Sequence, residues 1–416
     1  MKKLVAIIIF MAGMFPAVDA ANAQLSFYQQ AAAAKGKNQK QDRAFASALA
    51  RDVAQWVVGH EESAEVKNAL LMQAGYHQRA EEYAAALVAL YQVRFYFPFA
   101  QDLEGLSSQI DSIMENLNRN QKGQALKLLA VDTSEIEGLQ ARRAALLQHL
   151  VQADLKDIYE PVSDLFENYF TRYPQDGALD KMILLYGDWQ RQNGNFLAAI
   201  MEYKKVYELF PATVYKAAGL RMTADVYAFG LKEYEIATSL YNQVLKDFPG
   251  SAETGVVYKH LAVVEENQKN YSAALTYYDK AIAELGAQPA AFEAWQGKAD
   301  VLVKTKDFRA AYDVLLKGAA LFANHETQYI SLLEQAAEIA ERKLKNPALQ
   351  TAALDKILLT YPQTHRAPEF LYDSARAYEK QGKNTQAIQL YKQIIIHYPT
   401  DKYANRAQGR LSKLEK

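Results

Sequence analysis

From about residue 60 onward, apolar residues recur at helical spacing and are interrupted by two alternating kinds of break. The stripe Ile388, Tyr391, Ile394 and Ile395 is typical: a polar break, Gln381-Gly382-Lys383-Asn384, precedes it, and Tyr398-Pro399 closes it. Aromatic-proline pairs return at Phe97-Pro98, Tyr173-Pro174, Phe210-Pro211, Phe248-Pro249, Tyr361-Pro362 and Tyr398-Pro399, at a period of 37 to 38 or its multiples. Small residues keep the same beat. Ala86, Ala199, Ala237 and Ala387 lie twelve residues before these prolines, and Ala274 and Ala311 fill the two missing places. Ala74, Gly187, Ala262, Ala299 and Ala375 lie twelve residues earlier still.

Each period therefore predicts two helices joined by a short polar turn, an antiparallel hairpin. One small residue on each helix lets the backbones approach closely. The aromatics four residues beyond the second small position (Tyr203, Tyr241, Tyr278, Tyr391) are expected to wedge into the next hairpin. Proline then stops the second helix, because it lacks the N–H and disfavours helix in the residue before it.

Small residues at positions 8 and 20, an aromatic at 24 and proline at 32 form a pattern that resembles the tetratricopeptide repeat family. The resemblance covers residues 61–399, strongest in 175–211, 212–249, 250–286 and 363–399. Three units depart from it: 99–136 lacks the proline, 137–174 carries Val162 at the second small position, and 326–362 carries Gln350 there. In 212–249 the first small residue is displaced to Ala224, beside Asp225. The implied fold is all-α, a superhelical solenoid of antiparallel helix pairs. Residues 24–60, with Ala48, Val53 and Trp56, read as a degenerate helical cap, and 400–416 as a closing helix with a polar outer face.

Residues 1–23 have the character of an export signal. Lys2-Lys3 precede an apolar run from Leu4 to Met14, and Ala21-Asn22-Ala23 offers a small-residue cleavage site. The run is shorter than the roughly 20 residues needed to span a bilayer. Lys and Arg number 47 against 48 Asp and Glu, and losing Lys2, Lys3 and Asp19 would move the net charge only from −1 to −2. Such a balance supplies no basic surplus for nucleic acid. With no cysteine, disulfides, thiolate metal sites and thiol nucleophiles are excluded.

No catalytic constellation stands out. The seven histidines include no pair at i, i+4, and most fall near turns, where solvated roles are expected. Glu62-Ser63 followed by Leu71-Met72-Gln73 faintly echoes lytic transglycosylases, but the repeat already accounts for Leu71 and Ala74. A peptidoglycan-acting enzyme is thus the remote alternative, and neither cofactor nor metal is expected. The run Phe95–Phe99 reads as packing at an inter-repeat joint or, alternatively, as an exposed docking patch.

Resemblance to tetratricopeptide proteins implies that first helices line a concave groove for partner segments. Counted from the small residue, the groove positions are Asp188, Arg191, Lys259, Gln296, Asp300, Lys304, Tyr372, Arg376 and Glu379. Their mixed charge points to a protein partner, and reversing several of them is expected to leave stability nearly unchanged. The C-terminal unit is similar to periplasmic Tol-Pal-associated cell-division coordinators and to outer-membrane assembly proteins of the tetratricopeptide type. That likeness implies an envelope adaptor for assembly, secretion or division, reaching the outer membrane peripherally through partners. A helper in polysaccharide export is the alternative. The exported chain is expected to start at Gln24, or a few residues earlier at Ala21; an intact Met1 in the exported pool, by N-terminal mass spectrometry, overturns the reading.

Overall fold

The structure, a computed structural model, describes residues 17–34, 36, 38–60, 63–98, 103–153, 155 and 157–415. Most of the proposed signal, residues 1–16, lies outside them, as do Glu62 and Phe99. Every regular element among the described residues is helical. The all-α expectation holds, and the chain divides into two compact units, 1–219 and 220–416.

The first unit holds α1 (Ala17–Ala31), α2 (Gln39–Gly59), α3 (Val66–Arg79), α4 (Tyr83–Tyr96), α5 (Leu103–Glu115), α6 (Arg119–Leu129), α7 (Leu139–Ala153), α8 (Tyr159–Arg172), α9 (Leu179–Gln192) and α10 (Phe196–Leu209). Val53 and Trp56 of α2 are buried. Arg79 fastens the chain ahead of α2 through the Ala32 carbonyl at 2.9 Å, and the first turn of α2 through Asp42 at 3.0 Å. Helix α4 is apolar on nearly every side, as Ala84 through Val93 and Phe95 are all buried. It touches α3 and α5, and also α7 and α8, so it serves as the hub of this unit. Of the aromatic run, Phe95 is fully buried, which favours the packing alternative for it.

In the second unit the hairpins succeed one another. Unit two contains the end of α11 (Lys216–Asp225), a π-helical turn (Val226–Leu231), α12 (Tyr234–Asp247), α13 (Thr254–Asn267), α14 (Tyr271–Leu285), α15 (Pro289–Lys304), α16 (Phe308–Leu321), α17 (Glu326–Arg342), α18 (Pro347–Thr360), α19 (Ala367–Lys380), α20 (Asn384–His397) and α21 (Lys402–Leu414). The small residues are where the pattern needs them. Ala237, Ala262, Ala274, Ala311, Ala375 and Ala387 are wholly inaccessible. In unit one, a methyl group added at Gly187 would land on the Tyr203 ring.

The hairpin turns share one device. Glu81, Asp157, Gly194, Lys232, Lys269, Lys306, Lys345 and Gly382 have left-handed backbones, each five residues ahead of a buried second-helix position, Ala86 through Ala387. In five of these turns the next N–H donates to the carbonyl five residues back, as from Asn270 to Glu265 at 2.8 Å and Asp307 to Leu302 at 2.8 Å. That bond closes the first helix in the Schellman manner. Two turns carry an extra residue: Glu233 donates to Tyr227 at 2.8 Å and Asn346 to Ala340 at 2.9 Å, each six residues back. The first extra residue is taken up by the π-helical turn, which accounts for the displaced Ala224.

A left-handed backbone costs a residue with a Cβ about 1–2 kcal/mol. Replacing Lys306 by glycine should therefore stabilise the protein by about 0.5–1 kcal/mol, after allowing for the more flexible unfolded chain. Chemical denaturation measures this, and a destabilised Lys306→Gly variant contradicts the turn assignment.

Candidate functional site: the first-helix face

The repeat tyrosines reach the next hairpin as expected, the Tyr278 ring lying against Gly297 of α15 and the Tyr241 ring 6.1 Å from that of His260 on α13. Tyr203, Tyr241, Tyr278 and Tyr391 are buried on second helices, but each hydroxyl turns back within its own hairpin to a first-helix carboxylate. The acceptors are Asp188 at 2.8 Å, Asp225 at 2.7 Å, Glu266 at 2.9 Å and Glu379 at 2.5 Å. Burial first, and the neighbouring carboxylate second, push these hydroxyls well above the usual phenol range, so they stay protonated donors. The hydroxyl thus satisfies a side chain that could not otherwise enter the seam.

In the first unit, Asp188 also accepts from Arg191 at 3.2 Å. In the second unit, equivalent faces of successive first helices are joined by ion pairs. Arg221 of α11 reaches Glu253 at 2.5 Å, and Lys259 of α13 reaches Glu293 of α15 at 2.5 Å. Lys304 returns from α15 to Glu266. Arg366 grips Glu334 of α17 through two bonds of 2.6 and 2.7 Å, and Lys380 meets Glu341 at 2.8 Å. Arg410 of the closing helix engages Glu379.

Several of the predicted groove positions are therefore already paired. Lys259, Lys304 and Glu379 belong to these ion pairs, and Asp188 and Arg191 to each other. Reversing Lys259 or Lys304 would set like charges side by side, so the expectation of unchanged stability does not hold there. Tyr372 packs its ring against Tyr391 at 5.7 Å and Tyr403 at 5.4 Å between centroids. Asp300 and Arg376 have no ion-pair partner among the described residues, and Gln296 is half-buried on α15.

The densest polar cluster was missed at the sequence level, although the displaced Ala224 marked the spot. Asp225 accepts from Tyr241, meets His260 Nδ1 at 2.6 Å and pairs with Arg221. Burial would raise the Asp225 carboxyl, but the His260 hydrogen bond and the Arg221 charge hold it below the usual carboxylate range. The π-helical turn starts at the next residue, and its Phe229 leans edge-on against His260 at 5.3 Å. His77 also departs from expectation: it is buried in unit one, with Nδ1 2.8 Å from Glu82. Burial lowers its pKa. Among the described residues, no group of three or more His, Asp or Glu is placed to hold a metal, and no helix is long and apolar enough to cross a membrane.

The fold and this seam define a class, an all-α array of repeated antiparallel helical hairpins. Residues 369–401 match the tetratricopeptide repeat family. No curated protein matches the chain in sequence. Among solved structures, it is similar to the C-terminal part of a TPR repeat-containing protein from Cytophaga hutchinsonii (14% identity, 64% of this chain and 98% of that one, TM-score 0.42). It is also similar to PilF of Pseudomonas aeruginosa (16% identity, 56% and 97%, TM-score 0.35). A third is the signal transduction ATPase with a tetratricopeptide repeat sensor from Pyrococcus horikoshii (12% identity, 92% and 56%, TM-score 0.43).

Asp373 sits on the same helix as Tyr372 and Arg376. Burial first, then the charges of Glu369 and Glu341, push its carboxyl up to about 6, with Arg376 opposing. Between an unfolded pKa near 4 and this folded value, the native state holds the extra proton, so stability falls as pH rises through that window. Asp373→Asn should then raise the melting temperature at pH 7, with the gain shrinking toward pH 4. An equal gain at both pH values rules out titration of Asp373 as the cause.

Proposed function

We propose that the chain is a non-catalytic scaffold of the periplasm, binding segments of other envelope proteins along its first-helix faces and serving an assembly, secretion or division complex. The observation that carries the reading is the repeat itself. A seam of small residues and tethered tyrosines consumes the inner faces of each hairpin. The first helices are left with an outer polar surface, and residues 369–401 match a repeat family whose fold typically serves as an interaction scaffold. The export-type residues 1–23 support the periplasm as the compartment.

Capture from envelope extract by the mature chain tests this reading. The informative variant reverses Asp300 and Arg376 together, because neither takes part in the ion pairs between helices. The control reverses Lys317 and Lys356, both exposed on second helices. The first pair should weaken capture and the control should not, with thermal melts confirming that both variants are folded. Loss of capture by the control alone transfers binding to the second-helix side and ends the assignment.

A further inference from the structure

On the first helices of the second unit, Phe229 is the exposed large apolar side chain among the described residues, and it lies where the helix is irregular. Phe229 stands five residues beyond its hairpin's first small residue; Asn267, Lys304 and Lys380 hold that place in the hairpins of Ala262, Ala299 and Ala375. Phe229 is 43% exposed. Its position follows from the extra residue, which widens Val226–Leu231 into a π-helical turn and brings the ring edge onto His260. π-Helical turns cost hydrogen-bond geometry and recur at functional sites. Asp225 binds His260, Tyr241 and Arg221, so the imidazole that meets the Phe229 ring is held in place. The result is a rigid aromatic shelf open to solvent.

The charge around this shelf is uneven. From α11 to α15 the face carries Asp225, Glu253, Glu266, Glu293 and Asp300 against Arg221, Lys259 and Lys304. The three cations are all engaged by carboxylates. Asp300 is exposed, lies within electrostatic range of both Glu266 and Lys304, and has no cation bonded to it among the described residues. Phe229 and Asp300 are separated by two steps between neighbouring helices, roughly 8–10 Å each. An extended chain covers that span in five or six residues, at about 3.3–3.6 Å per residue.

We propose that this face takes an extended peptide segment in which a large apolar side chain rests on Phe229 and a lysine or arginine, five or six residues away, meets Asp300. The inference rests on the scaffold reading and specifies the partner's chemistry. An apolar anchor beside a polar rim is the usual distribution of binding energy at such interfaces. Net negative charge favours the basic partner and rejects an acidic one.

The test pans a random dodecapeptide phage library on the immobilised mature chain and measures the winning peptides by fluorescence anisotropy. Enriched sequences should pair Phe, Trp or Leu with Lys or Arg at that separation. Phe229→Ala and Asp300→Asn should each weaken binding about fivefold or more, whereas Phe229→Leu retains it. Thermal melts check that each variant is folded, and Phe229→Leu guards against a merely structural effect of Phe229→Ala. Peptides that are acidic, or that bind both weakened variants as well as the parent, overturn the inference. If those same peptides still fail on the Asp300 and Arg376 reversal, the scaffold reading survives without it. If no peptide is enriched, segment binding on this face falls altogether.

Discussion

Two helices approach closely only where neither presents a side chain larger than a methyl group, and each regular hairpin of this protein is organised about one such contact. Ala262 against Ala274 and Ala375 against Ala387 leave no accessible surface. At Gly187 even a methyl group is excluded by the Tyr203 ring. Close approach at that point brings the aromatic one turn further along the second helix within reach of the first helix. The tyrosine hydroxyl then finds a carboxylate there, as Tyr278 finds Glu266 and Tyr391 finds Glu379. Losing the small residue would overpack the core, at about 1–3 kcal/mol, and would also strand a buried hydroxyl.

This constraint explains what the sequence makes legible. Small residues, the aromatic and the terminal proline each answer a local steric requirement, so they recur at fixed spacing whatever surrounds them. The left-handed turn residue is less visible, because glycine takes that place in only two of the eight turns and lysine in four. Its position five residues ahead of the buried second-helix residue is constant all the same, in turns of either closure. The displaced Ala224 is legible as an irregularity, but its cause is not. An additional residue can widen the helix, as at Val226–Leu231, or lengthen the turn, as before Asn346, and the two share the same spacing.

Features that depend on distant partners are not legible. Helix α4 lacks a one-sided apolar stripe, because α3, α5, α7 and α8 cover it from several directions. A charged residue on a first helix reads as solvated until its counterpart 31 to 39 residues away is placed beside it, as with Arg366 and Glu334 or Lys380 and Glu341. The mixed charge of the first-helix positions suggests a mixed-charge partner when read along the chain. Across the chain, much of that mixture is complementarity between neighbouring hairpins.

Such pairs alter what the face can do. An exposed ion pair contributes about 0–1 kcal/mol, so the pairs between helices add little stability singly. They matter more as competitors. A partner offering a carboxylate to Lys304 must displace Glu266, and one offering a cation to Glu293 must displace Lys259; exchanging one exposed pair for another gains little. Binding energy on this face must come instead from groups outside the pairs. Asp300 and Arg376 are the charges in that condition among the predicted positions, and Phe229 is an apolar group exposed on the same series of first helices. Selectivity therefore rests on a few residues that depart from the repeat, while the repeat sets the spacing at which they are presented.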